Sequence, residues 1–401
     1  MKWSIKIGIA VIGVLCAGLG LGPASRAQNN TAPAQPAAAS AQFAFGGNVA
    51  QVPAEFIGNL IFLPVRVNQG QPSLFELDST APYTSADPQR AAELGIVDLR
   101  GPELNLSGVD ISLPDLSEIA NNDFGKRVGR AYEGTIGNDV FAGVVLEIDY
   151  KRQTVRIYDP AGFRYSGGGK SFPLTFHDGM PMVRAKIDVN GRKSGEALFV
   201  LNTALEASLV ISDTFAQQHH LFSSHVKTIA VAPGELNVSG NAVVARIESF
   251  HIGPYDVDMP LATFAQGKLP GDGDKEIAGE IGNGMLRRFT VIFDYARKVV
   301  ILDPNGEIRS DDHEDMSGIS VAASGPGMKM FEVTQVRPGT PAASAGVQTG
   351  DVIAGVDEEA AADMTLDALR ALFRQVGHKY KLLIERNGKT LTINVQMRRL
   401  L

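Results

Sequence analysis

Cysteine is almost missing from this 401-residue chain: Cys16 is the only one, and it lies inside an apolar N-terminal stretch. Beyond that stretch a disulfide framework, a cysteine-ligated metal site and thiol catalysis are all excluded. Basic runs are scarce too. The net charge is −7, and removing the first 27 residues, which hold Lys2, Lys6 and Arg26 and no acid, takes it to −10. A mildly acidic chain without a basic patch argues against nucleic acid as a partner. Metal-ligand spacings are lacking: His219, His220 and His225 have no carboxylate or thiolate in step with them and read as a solvated helix end. No metal or other cofactor is expected. There is no G-x-S-x-G elbow, and Gly167-Gly168-Gly169-Lys170 lacks the flanking strand and helix of a phosphate loop, so it reads as a connection. Long helical periodicity is missing until about residue 340.

What is present is a globular composition, 44% apolar and 20% charged, on a chain long enough for two or three domains. Residues 1–27 have the form of a signal peptide. Lys2 and Lys6 precede the apolar run from Ile7 to Gly22, and Ser25 and Ala27 supply small residues before a cut at Gln28. Leu15 before Cys16 is a poor match to a lipoprotein site. The expectation is a periplasmic or secreted protein with no stable membrane insertion after cleavage. The alternative is an uncleaved anchor, for which the run is short. Residues 28–42, QNNTAPAQPAAASAQ, are a tether, and the low-complexity linker is placed at 28–45.

Past the tether the pattern is period-2 and β-rich, and it repeats. FLPVRVNQGQPSLFELDSTAPYTS (62–85) corresponds to PMVRAKIDVNGRKSGEALFVLNTALEASLVIS (181–212). GTIGNDVFAGVVLEIDYKRQTVRIYDP (134–160) corresponds to GEIGNGMLRRFTVIFDYARKVVILDP (279–304). Both copies carry an apolar-Gly-Asn turn and an Asp-Tyr at a hairpin bend. ELNLSGVDISLPDL (103–116) sits against SFHIGPYDVDMPLATF (249–264), and the second copy has a further hairpin between 222 and 249. Two matches in the same order indicate duplication.

An apolar strand ending in Asp-(Ser/Thr)-Gly, crossed by a later apolar-apolar-Gly strand, is the mark of aspartic peptidases. FELDST (75–80) with TIG (135–137), and FVLNTA (199–204) with EIG (280–282), resemble its two lobes. The resemblance is to bacterial retropepsin-like peptidases carrying both lobes in one chain. It implies a mainly β, bilobal pepsin-like barrel core, with lobe 1 at 46–165 and lobe 2 at 170–305. It also implies two facing carboxylates that share one proton, one activating water and the other polarising the peptide carbonyl. Asp78 takes the first position, but Asn202 takes the second, and an amide does not exchange protons at neutral pH. Thr80 and Ala204 stand where the family has glycine, and the flap hairpin is missing from the first copy. Ser79 and Thr203, the hydroxyls that brace the loops in the family, are kept. The expectation is a pseudoenzyme that binds polypeptide in its cleft. The alternative is an active endopeptidase relying on Asp78. Taken alone, Asp78 would be a turn residue at a strand end.

After a charged linker at 306–315, residues 316–401 resemble a small α+β PDZ domain, most specifically at PGTPAASAGVQTGDVI (338–353). That resemblance implies binding of free peptide C-termini. The ligand strand would add beside Ser317, Gly318, Ile319, Ser320 and Val321, with loop N–H groups holding its carboxylate. Leu366, Leu369 and Phe373, on a helix capped by Thr365, would line the side-chain pocket, though a short amphipathic helix also needs such residues to fill its core. A third possibility makes the core a spacer and the C-terminal domain the working module.

Overall fold

The computed structural model describes residues 38–401 apart from 69, 94–99, 120–123, 222–225, 232–234, 239 and 268–276. The expected signal peptide at 1–27 lies outside the described residues, as does most of the 28–45 linker.

The two sequence copies build the same strand path. In the first, Leu60–Val67 turns back antiparallel to Ser73–Leu77, which runs parallel to Gly134–Ile136, itself antiparallel to Ser85–Ala86. In the second, Met180–Val189 turns back to Ala197–Leu201, which runs parallel to Ile277–Ile281, itself antiparallel to Leu209–Ile211. Strands 60–67 and 197–201 are buried almost throughout, which is why they read as unbroken apolar runs. The Gly of each apolar-Gly-Asn turn is demanded by close approach. A Cβ on Gly137 would stand 2.4 Å from the Tyr83 carbonyl carbon, and one on Gly282 would stand 2.3 Å from the Ala207 oxygen.

Each copy ends in a hairpin, Val145–Asp149 with Thr154–Tyr158 and Phe289–Asp294 with Val299–Pro304. The leading strands of the two hairpins pair with each other, Val145 opposite Asp294 and Asp149 opposite Thr290, so one six-stranded sheet spans both halves. At each bend a buried aspartate accepts from the backbone three residues on, Asp149 from Arg152 and Asp294 from Arg297. One apolar cluster draws residues from both halves.

Residues 316–397 have their own core. Their sheet runs Ile319–Ser324, Met330–Val336, Val352–Val356, Lys379–Arg386, Lys389–Gln396, which leaves Ile319–Ser324 at an edge. Helix Leu366–Phe373 covers it, with the Thr365 hydroxyl accepting from Ala368 N at 3.1 Å. Short helices such as Pro88–Glu93 and Asp213–Gln218 span too few residues to display a period, so the sequence showed none.

One expectation is corrected. Ser40–Phe43, inside the expected linker, is a strand paired with Val109–Ser112. The expected linker at 306–315 is hydrogen-bonded to the core through Arg288, which donates to the Glu307 and Ser310 carbonyls. Within it Asp312 is buried and accepts at 2.7 Å from Arg288, which is itself wholly buried. Asp312 in turn accepts from Ser208 and from Leu261 N.

Candidate functional site

The strands 73–77 and 197–201 end in loops that meet. Ser79 N donates to Thr203 Oγ1 at 2.9 Å and Thr203 N donates to Ser79 Oγ at 3.1 Å. The hydroxyls continue the exchange: Ser79 Oγ donates to Leu201 O and Thr203 Oγ1 to Leu77 O, both at 2.7 Å. Both side chains have zero exposure. Four reciprocal bonds in a dry seam fix the two loops against one another, because each lost donor would leave a buried group unsatisfied.

Asp78 and Asn202 precede these hydroxyls. Asp78 Oδ1 accepts from Thr80 N at 2.7 Å and from the Thr80 hydroxyl at 2.6 Å, so the Thr80 side chain is turned onto the carboxylate. Burial raises the Asp78 carboxyl above its ordinary value, against the lowering effect of the Thr80 and Ala81 hydrogen bonds. Asn202 Oδ1 accepts from Ala204 N at 2.9 Å, and its amide donates to Glu280 Oε2 at 2.6 Å.

Two further carboxyls belong to this seam, and the sequence reading passed over both. Glu280 lies on the strand parallel to 197–201, and burial and the Asp78 charge raise it while Asn202 opposes them. Glu76, two residues before Asp78, is pushed well above the ordinary carboxylate range by burial and then by Asp78. One of its oxygens, Oε1, has no hydrogen-bond partner. Glu280 occupies the place that Thr135 holds in the first copy, which was the available signal. Its significance depended on contact with Asn202, 78 residues away.

The other sequence-named residues gather at the edge strand Ile319–Ser324 and the helix Leu366–Phe373. Leu366, Leu369 and Phe373 are buried, as are Ser317, Gly318, Ile319 and Val321, while Ser320 is partly exposed. Gly318 has φ +81°, and a Cβ there would fall 2.3 Å from Thr340, so only glycine fits. The loop N–H groups are already engaged: Asp315 Oδ1 accepts from Gly318 N at 2.6 Å and Ser317 N at 3.1 Å, and Ile319 N donates to Ser317 Oγ. Residues 313–397 match the PDZ domain family. This segment is a PDZ domain. An edge strand beside a helix is the surface on which PDZ domains take a peptide as an added strand. No curated protein matches the chain.

The PDZ domain is fastened to the rest of the chain. Arg337, largely buried, donates to Ala230 O at 2.8 Å and pairs with Glu235. Both partners belong to the hairpin Ile229–Val231 and Ala242–Arg246, which has no counterpart among the described residues of the first copy. From the first copy, helix Phe124–Val128 packs against the PDZ edge strand. A cavity of about 430 Å³ remains between them, lined by Ile319, Val321 and Phe373 of the PDZ domain, Phe124 and Arg127 of the helix, and Val231 of the hairpin.

Proposed function

We propose that this is an exported polypeptide-binding protein whose core descends from retropepsin-like aspartic peptidases and has lost ordinary proteolysis. Peptides engage it at the seam between the two core halves and, through free C-termini, at the PDZ groove. The observation that carries the reading is Asn202. It stands opposite Asp78 in a matching loop, beside the reciprocal Ser79–Thr203 hydrogen bonds, and its amide cannot take or give the proton that the family's second carboxylate manages. The Thr80 side chain supports the same reading, because its hydroxyl engages a carboxylate oxygen of Asp78 that a reacting water would have to compete for. Among the described residues no helix is long and apolar enough to cross a membrane. Export rests on the leader at 1–27, and N-terminal sequencing of the secreted form is expected to begin at Gln28.

The test of lost proteolysis is casein digestion by the purified chain across pH 3 to 7, with and without pepstatin. No turnover above the Asp78→Ala background is expected. Pepstatin-sensitive turnover abolished by Asp78→Ala sinks the reading.

A second reading has one observation in its favour: Glu280 sits against Asn202 and is raised partly by the Asp78 charge. An active endopeptidase would then draw its second carboxyl from Glu280. Under that reading cleavage is lost in Glu280→Gln as fully as in Asp78→Ala.

A further inference from the structure

The PDZ groove of this chain is partly covered from within the chain. Arg370, on the groove helix, donates through Nη2 to Arg127 O at 2.7 Å and to Val321 O at 3.2 Å. One guanidinium thus ties the end of helix Phe124–Val128 to a carbonyl of the edge strand. Gly129, the next residue, presses on the first residue of the groove helix: a Cβ placed on it would stand 2.6 Å from Leu366 Cβ. Phe124 and Arg127 line the same cavity as Ile319, Val321 and Phe373. At the opposite end of the groove, Asp315 already fills the loop N–H groups that would receive a ligand's terminal carboxylate. Burial raises the Asp315 carboxyl, with the Gly318 and Ser317 hydrogen bonds opposing it.

An added peptide strand needs the backbone edge of 319–324, the face of 366–373 and the loop donors together. Each of the three has an occupant from the same chain. We infer that residues 124–129 are an internal ligand of the PDZ groove, assisted by Asp315, and that an external C-terminal peptide binds only by displacing them. This rests on the peptide-binding reading of the PDZ domain. The energetic form is simple: apparent affinity is the intrinsic affinity reduced by the fraction of molecules with the helix away from the groove. The occupant is suited to the task because it is held lightly. The helix is five residues long, too short to be stable without its contacts, and Gly129 at φ +79° ends it. The apolar side-chain pocket and the loop donors define the external partner as an extended segment with an apolar last residue and a free carboxylate.

The test uses the full chain and a fluorescein-labelled octapeptide ending in Leu-Val-Val with a free carboxylate, its C-terminal amide serving as control. Gly129→Leu places a bulky side chain against Leu366 at a backbone conformation that disfavours it, which drives the helix out. The acid peptide is expected to bind Gly129→Leu at least tenfold more tightly than the unaltered chain. In the unaltered chain, saturating peptide is expected to accelerate amide hydrogen exchange over 124–130 while 379–396 stays protected. Equal affinity in the two proteins overturns the inference and leaves peptide binding standing; binding by neither overturns both. Should Gly129→Leu fail to fold, the exchange measurement on the unaltered chain decides alone: bound peptide with 124–130 still protected overturns the inference.

Discussion

The Tyr150 hydroxyl donates to Asn283 Oδ1 at 2.6 Å, a bond that crosses from the first repeat of the core to the second. Its counterpart runs the other way, Tyr295 to Asn138 at 3.2 Å. Each tyrosine follows the aspartate of its own hairpin bend, and each asparagine follows the glycine of its own turn. Two short motifs therefore position one half on the other. Asn283 has zero exposure and also donates to Thr203 O, beside the meeting loops. Asn283→Ala should cost about 2–4 kcal/mol, since it strands the Tyr150 hydroxyl and the Thr203 carbonyl together. Urea unfolding at pH 7 checks this, and a loss under about 0.5 kcal/mol would remove Asn283 from that role.

The four bonds around Ser79 and Thr203 act as one unit. Ser79→Ala and Thr203→Val each break a donor and an acceptor of the seam. Each single change is expected to cost about 2–3 kcal/mol, and the double change markedly less than their sum. A double-mutant cycle by urea unfolding reads the coupling. Strict additivity would mean that the loops are held elsewhere.

Glu76 gives a pH signature. Its carboxyl is raised in the folded chain, so the charged form is penalised there. The penalty is absent below the unfolded value of about 4.3, grows as pH rises toward the folded value, and is complete above it. Glu76→Gln keeps the shape and the capacity to hydrogen-bond Tyr132 while removing the charge. It should stabilise the protein by about 1–2 kcal/mol at pH 7 and give no gain at pH 4. A gain that is equal at both pH values would show that charge is not the cause.

Some of this arrangement is legible in the sequence and some is not. The glycine and asparagine of the repeated turns, the Asp-Tyr bends and the Thr365 cap are local patterns, and their hydrogen bonds follow from residues a few positions apart or from the repetition itself. Glu280 beside Asn202 and Arg288 against Asp312 depend on strand neighbours and a buried return of the chain. A glutamate in a strand pattern, or two arginines at a helix end, reads as solvated until the neighbour is known. The helix Phe124–Val128 is the extreme case. Nothing in FGKRV announces that it packs on an edge strand nearly two hundred positions further on. Residue patterns report which backbone shape is favoured, whereas such contacts are decided by how finished domains lie together.

An aspartate in place of Asn202 is expected to destabilise the protein. Asn202→Asp replaces an amide donor, 2.6 Å from Glu280, with a carboxyl. Two carboxylates cannot both ionise at that separation, so one must keep a proton at neutral pH and its folded value rises. The cost, about 1–3 kcal/mol, is full above that raised value and vanishes as pH falls below the unfolded one. Thermal unfolding should therefore show the variant clearly less stable than the unaltered chain at pH 7 and equal to it near pH 4. An equal loss at both pH values would mean that the substitution disturbs packing rather than charge.

Arg288 offers the sharpest stability test, because it is a cation with zero exposure. Its guanidinium holds Asp312 at 2.7 Å and donates to the Glu307 and Ser310 carbonyls, which fastens the segment between the core and the PDZ domain. Burial lowers its own ionisation and Asp312 opposes that, the balance of a charge held by its partner. Removing the cation leaves buried Asp312 with only the more distant Arg287 cation, 3.6 Å away, so Arg288→Ala should cost about 3 kcal/mol. Pairing Arg288→Met with Asp312→Asn removes both charges and should recover a large part of that loss. If the single and paired changes cost the same, the ion pair contributes nothing and the carbonyl bonds alone hold the segment.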